Sequence, residues 1–260
     1  MTSIMATEAA SAPALLAEQL KLNKVICQRL ADKIRQFNPS VVYIVARGSS
    51  DHAGVFAKYL IEIELGIPVV AAAPSVVTIF HKQLKLSTAL VIGISQSGRS
   101  PDIVQHMQMA KDAGALCVGL VNDESSPLAA LVDELLPLRV GQEIAVAATK
   151  SYLDNVLAAP AQLTPERLKN TQHCVMLGRG FGYAIAKEIA LKLKEVCAIQ
   201  AEAFSSAEFV HGPVALAQKP LQVLSLMLRD ESFEAHQQQV DDLVQRGAGV
   251  VTLRQFPNRL

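Results

Sequence analysis

The sequence predicts an α/β fold of two doubly wound parallel sheets flanked by helices. Short apolar runs of strand length alternate with amphipathic helical stretches, the pattern of parallel βαβ units. The alternation restarts after Pro160. Half of the 260 residues are hydrophobic, yet aromatics make up only 5% and Trp is absent. A core of small aliphatic side chains suits sheets buried on both faces.

The elements follow in order. Leu15, Leu16, Leu20, Val25, Ile26, Leu30 and Ile34 keep helical spacing and predict one helix over 13–37, ended by Asn38-Pro39-Ser40. Residues 41–46 read as a strand, 51–65 as a helix and 68–73 as a short strand, with a turn or short helix near Ser75. Strand 89–94, helix 101–113, strand 115–121, short helix 127–132 and weaker strand 135–138 come next, with a helix starting near Val146. In the second half Thr164-Pro165-Glu166 resembles a capped helix start. Strand 173–177, helix 182–199, strand 222–227, helix 231–246 and strand 249–253 follow. The segments expected are a helical 1–38, a first subdomain over 39–160 and a second over 161–260. The join at 154–162 is short, and no helix follows the last strand. A compact variant and a missing segment both fit that end.

Lys plus Arg and Asp plus Glu number 24 each, so overall charge points to no nucleic-acid or polyanion partner. No apolar run is long enough to span a bilayer, and the N-terminus lacks the basic start of a signal peptide. A cytoplasmic protein with no membrane partner is expected. Cys27, Cys117, Cys174 and Cys197 are widely spaced and show no metal-ligand pattern. They read as mainly packed thiols of a reducing compartment.

The most informative stretch is Ser95-Gln96-Ser97-Gly98-Arg99-Ser100-Pro101, between a strand and a helix. Ser100 suits an N-cap and Pro101 a first helical residue. The exposed N–H groups of such a helix start favour an anion, and the hydroxyls add donors. The residues alone fit either a phosphate cradle or an ordinary capped turn. A second turn, Gly178-Arg179-Gly180-Phe181-Gly182, also joins strand to helix. Tyr183 occupies the place of the third glycine of a dinucleotide fingerprint, so a tight packing turn fits better.

Glu188, Lys192 and Glu195 are spaced i,i+4 and i,i+3, which puts them on one helix face. Spacing alone fits a surface ion-pair ladder. Ser205-Ser206-Ala207-Glu208 fits a capping box and leaves Glu208 a structural role. His211, in a loop beside Gly212-Pro213, fits either a satisfied loop histidine or a proton-transfer group.

Together these motifs resemble the sugar-isomerase (SIS) family. The match runs through Arg47-Gly48-Ser49-Ser50, Ser95-Gln96-Ser97-Gly98-Arg99-Ser100, Val146-Ala147-Ala148-Thr149-Lys150 and Gly178-Arg179-Gly180. It continues through Leu191-Lys192-Leu193-Lys194-Glu195, Ala201-Glu202-Ala203-Phe204 and Glu208-Phe209-Val210-His211-Gly212-Pro213. It is similar to the isomerase half of glucosamine-6-phosphate synthase, and more so to the stand-alone SIS-type glucosamine-6-phosphate deaminases. The resemblance implies two SIS subdomains with five-stranded sheets and a homodimer. It implies that Ser95, Gln96, Ser97 and Ser100 hold phosphate, that Gly48, Ser49 and Ser50 line the sugar, and that Val146 and Ala148 contact its hydroxyls. Glu195 matches the general base, Lys192 a lysine near the sugar, and His211 a ring-opening histidine contributed by the neighbouring subunit. Glu202 is a candidate for positioning. Arg99 departs from the synthase, which has an acidic residue there. It could favour a dianionic phosphate or point to solvent.

The expected reaction follows from the same resemblance. The sequence shows no glutaminase-type domain, no N-terminal cysteine nucleophile and no imine-forming lysine tail. The proton shuttle is therefore expected to run toward deamination of glucosamine 6-phosphate to fructose 6-phosphate, with no metal or organic cofactor. Another phosphosugar, such as galactosamine 6-phosphate or a fructosamine 6-phosphate, and a non-catalytic phosphosugar sensor are the alternatives.

Overall fold

The computed structural model describes residues 4–141, 168, 171–218 and 221–254. The chain divides into two compact units, Met1–Ile144 and Ala145–Leu260.

The first unit opens with α1 (Ile4–Leu22) and α2 (Lys24–Phe37). The single helix expected over 13–37 is thus two, and the first begins earlier. Asn23 makes the break: its side chain is buried and its Nδ2 donates to the Pro137 carbonyl at 2.8 Å. β1 (Val41–Val45), α3 (Ser49–Leu65), β2 (Val69–Ala71), α4 (Ser75–Thr78) and β3 (Ala89–Ser95) follow. Then come α5 (Pro101–Asp112), β4 (Leu116–Val121), α6 (Pro127–Leu131) and β5 (Glu134–Pro137). The five strands are parallel in the order β2-β1-β3-β4-β5.

Alternation along the strands separates two apolar layers. Tyr43, Val45, Val91 and Cys117 pack with Ile103 and Met107 of α5 and Leu128 of α6. Val42, Ile44, Leu90 and Val118 pack with Leu30 and Ile34 of α2 and Ala57 and Ile61 of α3. Burial on both faces is what a parallel sheet needs and explains its continuous apolar runs. α2 is also tied to β5 by charge. Arg29 and Lys33 both reach Glu134, at 2.7 and 2.6 Å, and Lys33 donates to the Asp133 carbonyl. Hydrogen bonding from Arg29, the larger influence, and from Lys33 holds the Glu134 carboxyl down to about 2.

The second unit contains β6 (His173–Gly178), α7 (Phe181–Cys197), β7 (Gln200–Ser205), α8 (Ser206–Phe209) and a 3-10 turn (Pro213–Gln218). β8 (Gln222–Met227), α9 (Phe233–Gln245) and β9 (Gly249–Arg254) complete it. Its sheet is parallel, ordered β7-β6-β8-β9. Among the described residues it has four strands rather than the five the resemblance implies. β7 is a strand the sequence reading did not assign. One face packs Met176, Leu224 and Leu226 against Ile185, Ile189 and Leu193 of α7. The other packs Val175, Leu177 and Val223 against Phe209 and Leu243.

Among the described residues no helix is long and apolar enough to cross a membrane. The four cysteines are free thiols. Cys117 and Cys174 are buried, and desolvation pushes their thiols up to about 12 and about 11. Cys27 and Cys197 are exposed, which corrects the expectation of mainly packed thiols. Both stand on helices whose surroundings cover only part of the surface, so apolar neighbours in sequence were a poor guide to burial.

Candidate functional site

In the first unit β1 and β3 are neighbours, and β2 lies on one side of them while β4 and β5 lie on the other. The strand order therefore reverses between β1 and β3. Such a switch point leaves a crevice beyond the C-terminal strand ends, where α/β proteins bind ligands. Two turns meet there. Arg47-Gly48-Ser49-Ser50 leads from β1 into α3, and residues 96–100 lead from β3 into α5. Arg47 Nε donates to Asp102 Oδ2 at 2.7 Å and joins the two. The structure thus brings Ser95, Gln96, Ser97 and Ser100 to the same sheet edge as Gly48, Ser49 and Ser50.

The serines of this turn shape it with their lone pairs. Ser95 is buried, and its Oγ accepts the Gly98 N–H at 3.0 Å. Ser97 Oγ accepts the Arg99 N–H at 3.3 Å. Each hydroxyl keeps its own O–H for donation. The Gln96 carbonyl accepts from Asn122 N–H, which fixes the turn to the end of β4. Pro101 takes the first helical position as expected. Ser100 has the extended backbone of an N-cap, but its hydroxyl makes no capping hydrogen bond. That corrects the capping expectation and leaves the hydroxyl at the helix start uncommitted to the helix. Arg99 is exposed, with 54% of its side chain accessible, yet it is paired. Its Nε and Nη2 donate to Asp123 Oδ2 at 3.1 and 2.7 Å. Hydrogen bonds from Ser125 and then from Arg99 hold the Asp123 carboxyl down to about 2.

In the second unit the Gly178-Arg179-Gly180-Phe181-Gly182 turn is the tight packing turn expected. A Cβ on Gly178 would collide with the backbone carbonyl of Gly182, so strand and helix approach closer than any side chain permits. α7 carries the expected charged face. Glu188 is fully buried. Lys192, only 12% exposed, lies 3.3 Å from Glu188 Oε1 and 2.9 Å from Glu195 Oε2. A buried carboxylate requires such a cation, because desolvation of a lone charge costs several kcal/mol. Glu195 is exposed, with 43% of its side chain accessible in this unit. Its place in the last turn of α7, beyond the packed stretch, is the reason.

The capping box at Ser205 does not form. Ser205 is the N-cap of α8, yet its side chain makes no cap hydrogen bond. With only four residues, α8 offers a poorly developed helix start. Glu202 is exposed on β7. His211 lies exposed just after α8, its N–H bonded to the Glu208 carbonyl. Its imidazole satisfies no loop carbonyl among the described residues. Val146 and Ala148 lie outside the described residues. Among these, no cluster of three or more His, Cys, Asp or Glu side chains is placed to hold a metal ion.

The sequence reading missed two charged contacts, Arg47–Asp102 and Arg99–Asp123. Both arginines and the first-turn acid of α5 were visible. The pairing depends on which strand ends the topology makes neighbours.

Comparison with known proteins agrees with this arrangement. The profile of the SIS domain matches residues 37–164 and 167–258. The glutamine–fructose-6-phosphate aminotransferase (isomerizing) of Gloeobacter violaceus is 34% identical over 235 residues, covering 74% of this chain and 38% of that protein. Its counterpart from Thermotoga maritima is 31% identical over 262 residues, covering 85% and 43%. The chain therefore spans about two fifths of these curated relatives. A candidate phosphosugar isomerase from Silicibacter pomeroyi superposes with a TM-score of 0.88 at 33% identity, covering 96% of this chain and 86% of that one. The C-terminal domain of the Francisella tularensis glucosamine-fructose-6-phosphate aminotransferase gives 0.80 at 25%, covering 97% and 83%. Two parallel sheets, the serine turn at the first switch point and matches across both halves place this chain in the SIS domain family.

Proposed function

We propose that this chain is an aldose–ketose isomerase of phosphosugars that deaminates glucosamine 6-phosphate. The observation that carries the reading is Glu195 on α7, hydrogen-bonded to Lys192 in a member of the SIS family. Ser95, Gln96, Ser97 and Ser100 hold the phosphate, with the N–H groups that open α5. Gly48, Ser49, Ser50, Val146 and Ala148 contact the sugar.

The chemistry is a single-carboxylate shuttle. His211, contributed by the second subunit of a homodimer, takes the C1 hydroxyl proton of the ring form and returns one to the ring oxygen, opening the sugar. Glu195 removes the C2 proton of the open aldehyde, and the C1 oxygen takes a proton from solvent as the enaminol forms, a proton given back when the C2 iminium becomes the imine. Glu195 then delivers its proton to C1. C1 is now an alcohol and C2 an imine. Water adds to C2 and ammonia leaves, so glucosamine 6-phosphate plus water becomes fructose 6-phosphate plus ammonia. Lys192, between two carboxylates, keeps Glu195 oriented and its charge compensated. The choice of the amino sugar rests on the motif resemblance to SIS-type deaminases.

The test is ammonia and fructose 6-phosphate release by the purified protein, with galactosamine 6-phosphate and fructosyl-lysine 6-phosphate alongside. Glu195→Gln should lower turnover by about 10²–10⁴-fold and leave fructose 6-phosphate binding intact. Turnover that survives this change sinks the base assignment. Mixing inactive Glu195→Gln and His211→Ala proteins should restore about a quarter of wild-type activity if each site draws on both subunits.

A further inference from the structure

Arg47 opens the first of the two turns of the first unit and reaches across to the helix that follows the second. It follows β1 after one residue, Ala46, before Gly48 turns the chain into α3. It binds Asp102 through Nε, at 2.7 Å. A guanidinium has five N–H donors in a rigid fork. Among the described residues the two terminal nitrogens of Arg47 have no protein acceptor, and its side chain is 59% exposed. Asp102 is the acid in the first turn of α5, the helix whose start takes the phosphate. A dianion arriving there meets that carboxylate as a like charge.

The second unit supplies the control. Arg179 occupies the matching place, after β6 and before Gly180. Its Nη1 donates to Gln239 on α9 at 3.2 Å, a neutral partner well inside the helix. Of these two arginines, among the described residues, Arg47 alone is set against an acid at a helix start.

We propose that Arg47 is a further phosphate-binding residue, parked on Asp102 while the site is empty. The proposal rests on the phosphosugar reading and deepens it. The fork of Arg47 has no other acceptor among the described residues, and Asp102 holds the guanidinium at the strand ends where the phosphate docks. A dianion outbids the single carboxylate for the terminal nitrogens through paired, charge-assisted bonds. Asp102 therefore opposes binding twice, by repelling the dianion and by holding its ligand. If the pair were only a tether between the turns, loss of either partner would do the same harm.

The two residues should then move affinity in opposite directions. Calorimetric binding of fructose 6-phosphate at fixed salt is compared for the wild type, Arg47→Ala, Arg47→Lys and Asp102→Asn, with fructose as the phosphate-free control. Arg47→Ala should weaken binding about ten- to a hundredfold and raise KM with kcat held. Arg47→Lys, a charge without the fork, should fall between. Asp102→Asn should bind as tightly as the wild type or more tightly. Matching losses in Arg47→Ala and Asp102→Asn would overturn the proposal and leave the phosphosugar reading standing. Wild-type protein that binds neither fructose 6-phosphate nor glucosamine 6-phosphate would remove that reading and this one with it. Asp102→Asn keeps shape and helix, so its sign decides even if Arg47→Ala folds poorly.

Discussion

In the first unit the loop between β3 and α5, residues 96–100, carries two serines, a glycine and an arginine. In the second unit the loop between β8 and α9, residues 228–232, has the same length and carries Arg229-Asp230-Glu231-Ser232. Both follow the second central strand of a parallel sheet with the same neighbour order. Both sheets also share the opening turn. Gly48 has φ 55 and ψ −131 before α3, and Gly180 has φ 54 and ψ −130 before α7. The helices that follow are each 17 residues long and end in a left-handed cap.

The loops nevertheless suit opposite ligands. Asp230 Oδ1 accepts both the N–H and the hydroxyl of Ser232, at 2.9 and 2.6 Å. A carboxylate of the protein already sits where an incoming anion would need donors. In the first unit the same closing task falls to the neutral Ser95 hydroxyl. The helices divide in the reverse sense. α3 carries a half-exposed Lys58–Glu62 pair at 3.7 Å, while α7 carries the buried Glu188–Lys192 pair joined to Glu195. One backbone plan thus carries a neutral, hydroxyl-rich turn in one half and a buried carboxylate pair in the other. The choice lies in a handful of side chains.

The largest expected effect tests how far the shared plan extends. Gly178→Ala should cost on the order of 3 kcal/mol or more, because the added methyl meets backbone that cannot yield. At the matching place the first unit carries Ala46, packed in its core. A thermal unfolding scan of Gly178→Ala showing no loss would mean that strand and helix are equally spaced in both halves.

Acid should separate the halves next. His236 is buried against Ser225, and burial first, then the nearby Arg179, lowers its pKa from 6.5 to about 4. A depressed folded-state value favours the neutral ring. Its stabilising contribution is complete above pH 6.5 and is lost as pH falls toward 4, on the order of 2 kcal/mol. His236→Asn should flatten the stability profile in that window. In the first unit burial lowers His106 too, and Glu134 extends the dependence downward from 4.5 to about 2. Denaturant titrations at stepped pH check both.

A loop exchange comes third. Ser97→Asp should weaken fructose 6-phosphate at least tenfold, about 1.4 kcal/mol, whereas Asp230→Ala should leave its affinity unchanged. Equal binding by Ser97→Asp and wild type would move the phosphate elsewhere. The smallest effect is a matched pair. Gly48→Ala and Gly180→Ala should each cost about 1–2 kcal/mol for a side chain at positive φ. Nothing lies within 4 Å of a Cβ at Gly48, and at Gly180 only ordinary contacts do. Chemical denaturation giving clearly unequal costs would break the equivalence of the two turns.

Most of the architecture was legible because both faces of each sheet are buried and leave apolar runs of strand length. β7 escaped for the opposite reason. Its sequence, Gln-Ala-Glu-Ala-Phe-Ser, is polar and alanine-rich, and among the described residues it is an edge strand with only Ala201 fully buried. β propensity says little about such a segment. The break at Asn23 was hidden because apolar spacing runs through it, and the residue acts through a carbonyl far along the chain. At the site, residue types and motif order were readable. The pairing of Arg47 with Asp102 and of Arg99 with Asp123 was not, since 55 and 24 residues separate the partners. Burial within the carboxylate ladder was equally invisible: spacing set three groups on one face but not that Glu188 is inside and Glu195 outside.

The clamp of α2 on β5 has a consequence for solubility. Among the described residues β5 is the last strand on its side of the first sheet, and such a margin offers unpaired N–H and C=O groups to any passing strand. Here Asn23 and Gln19 both donate to the Pro137 carbonyl, Arg29 and Lys33 hold Glu134, and Lys33 takes the Asp133 carbonyl. The two opening helices thereby act as a selvedge, closing the sheet against growth by addition of another chain.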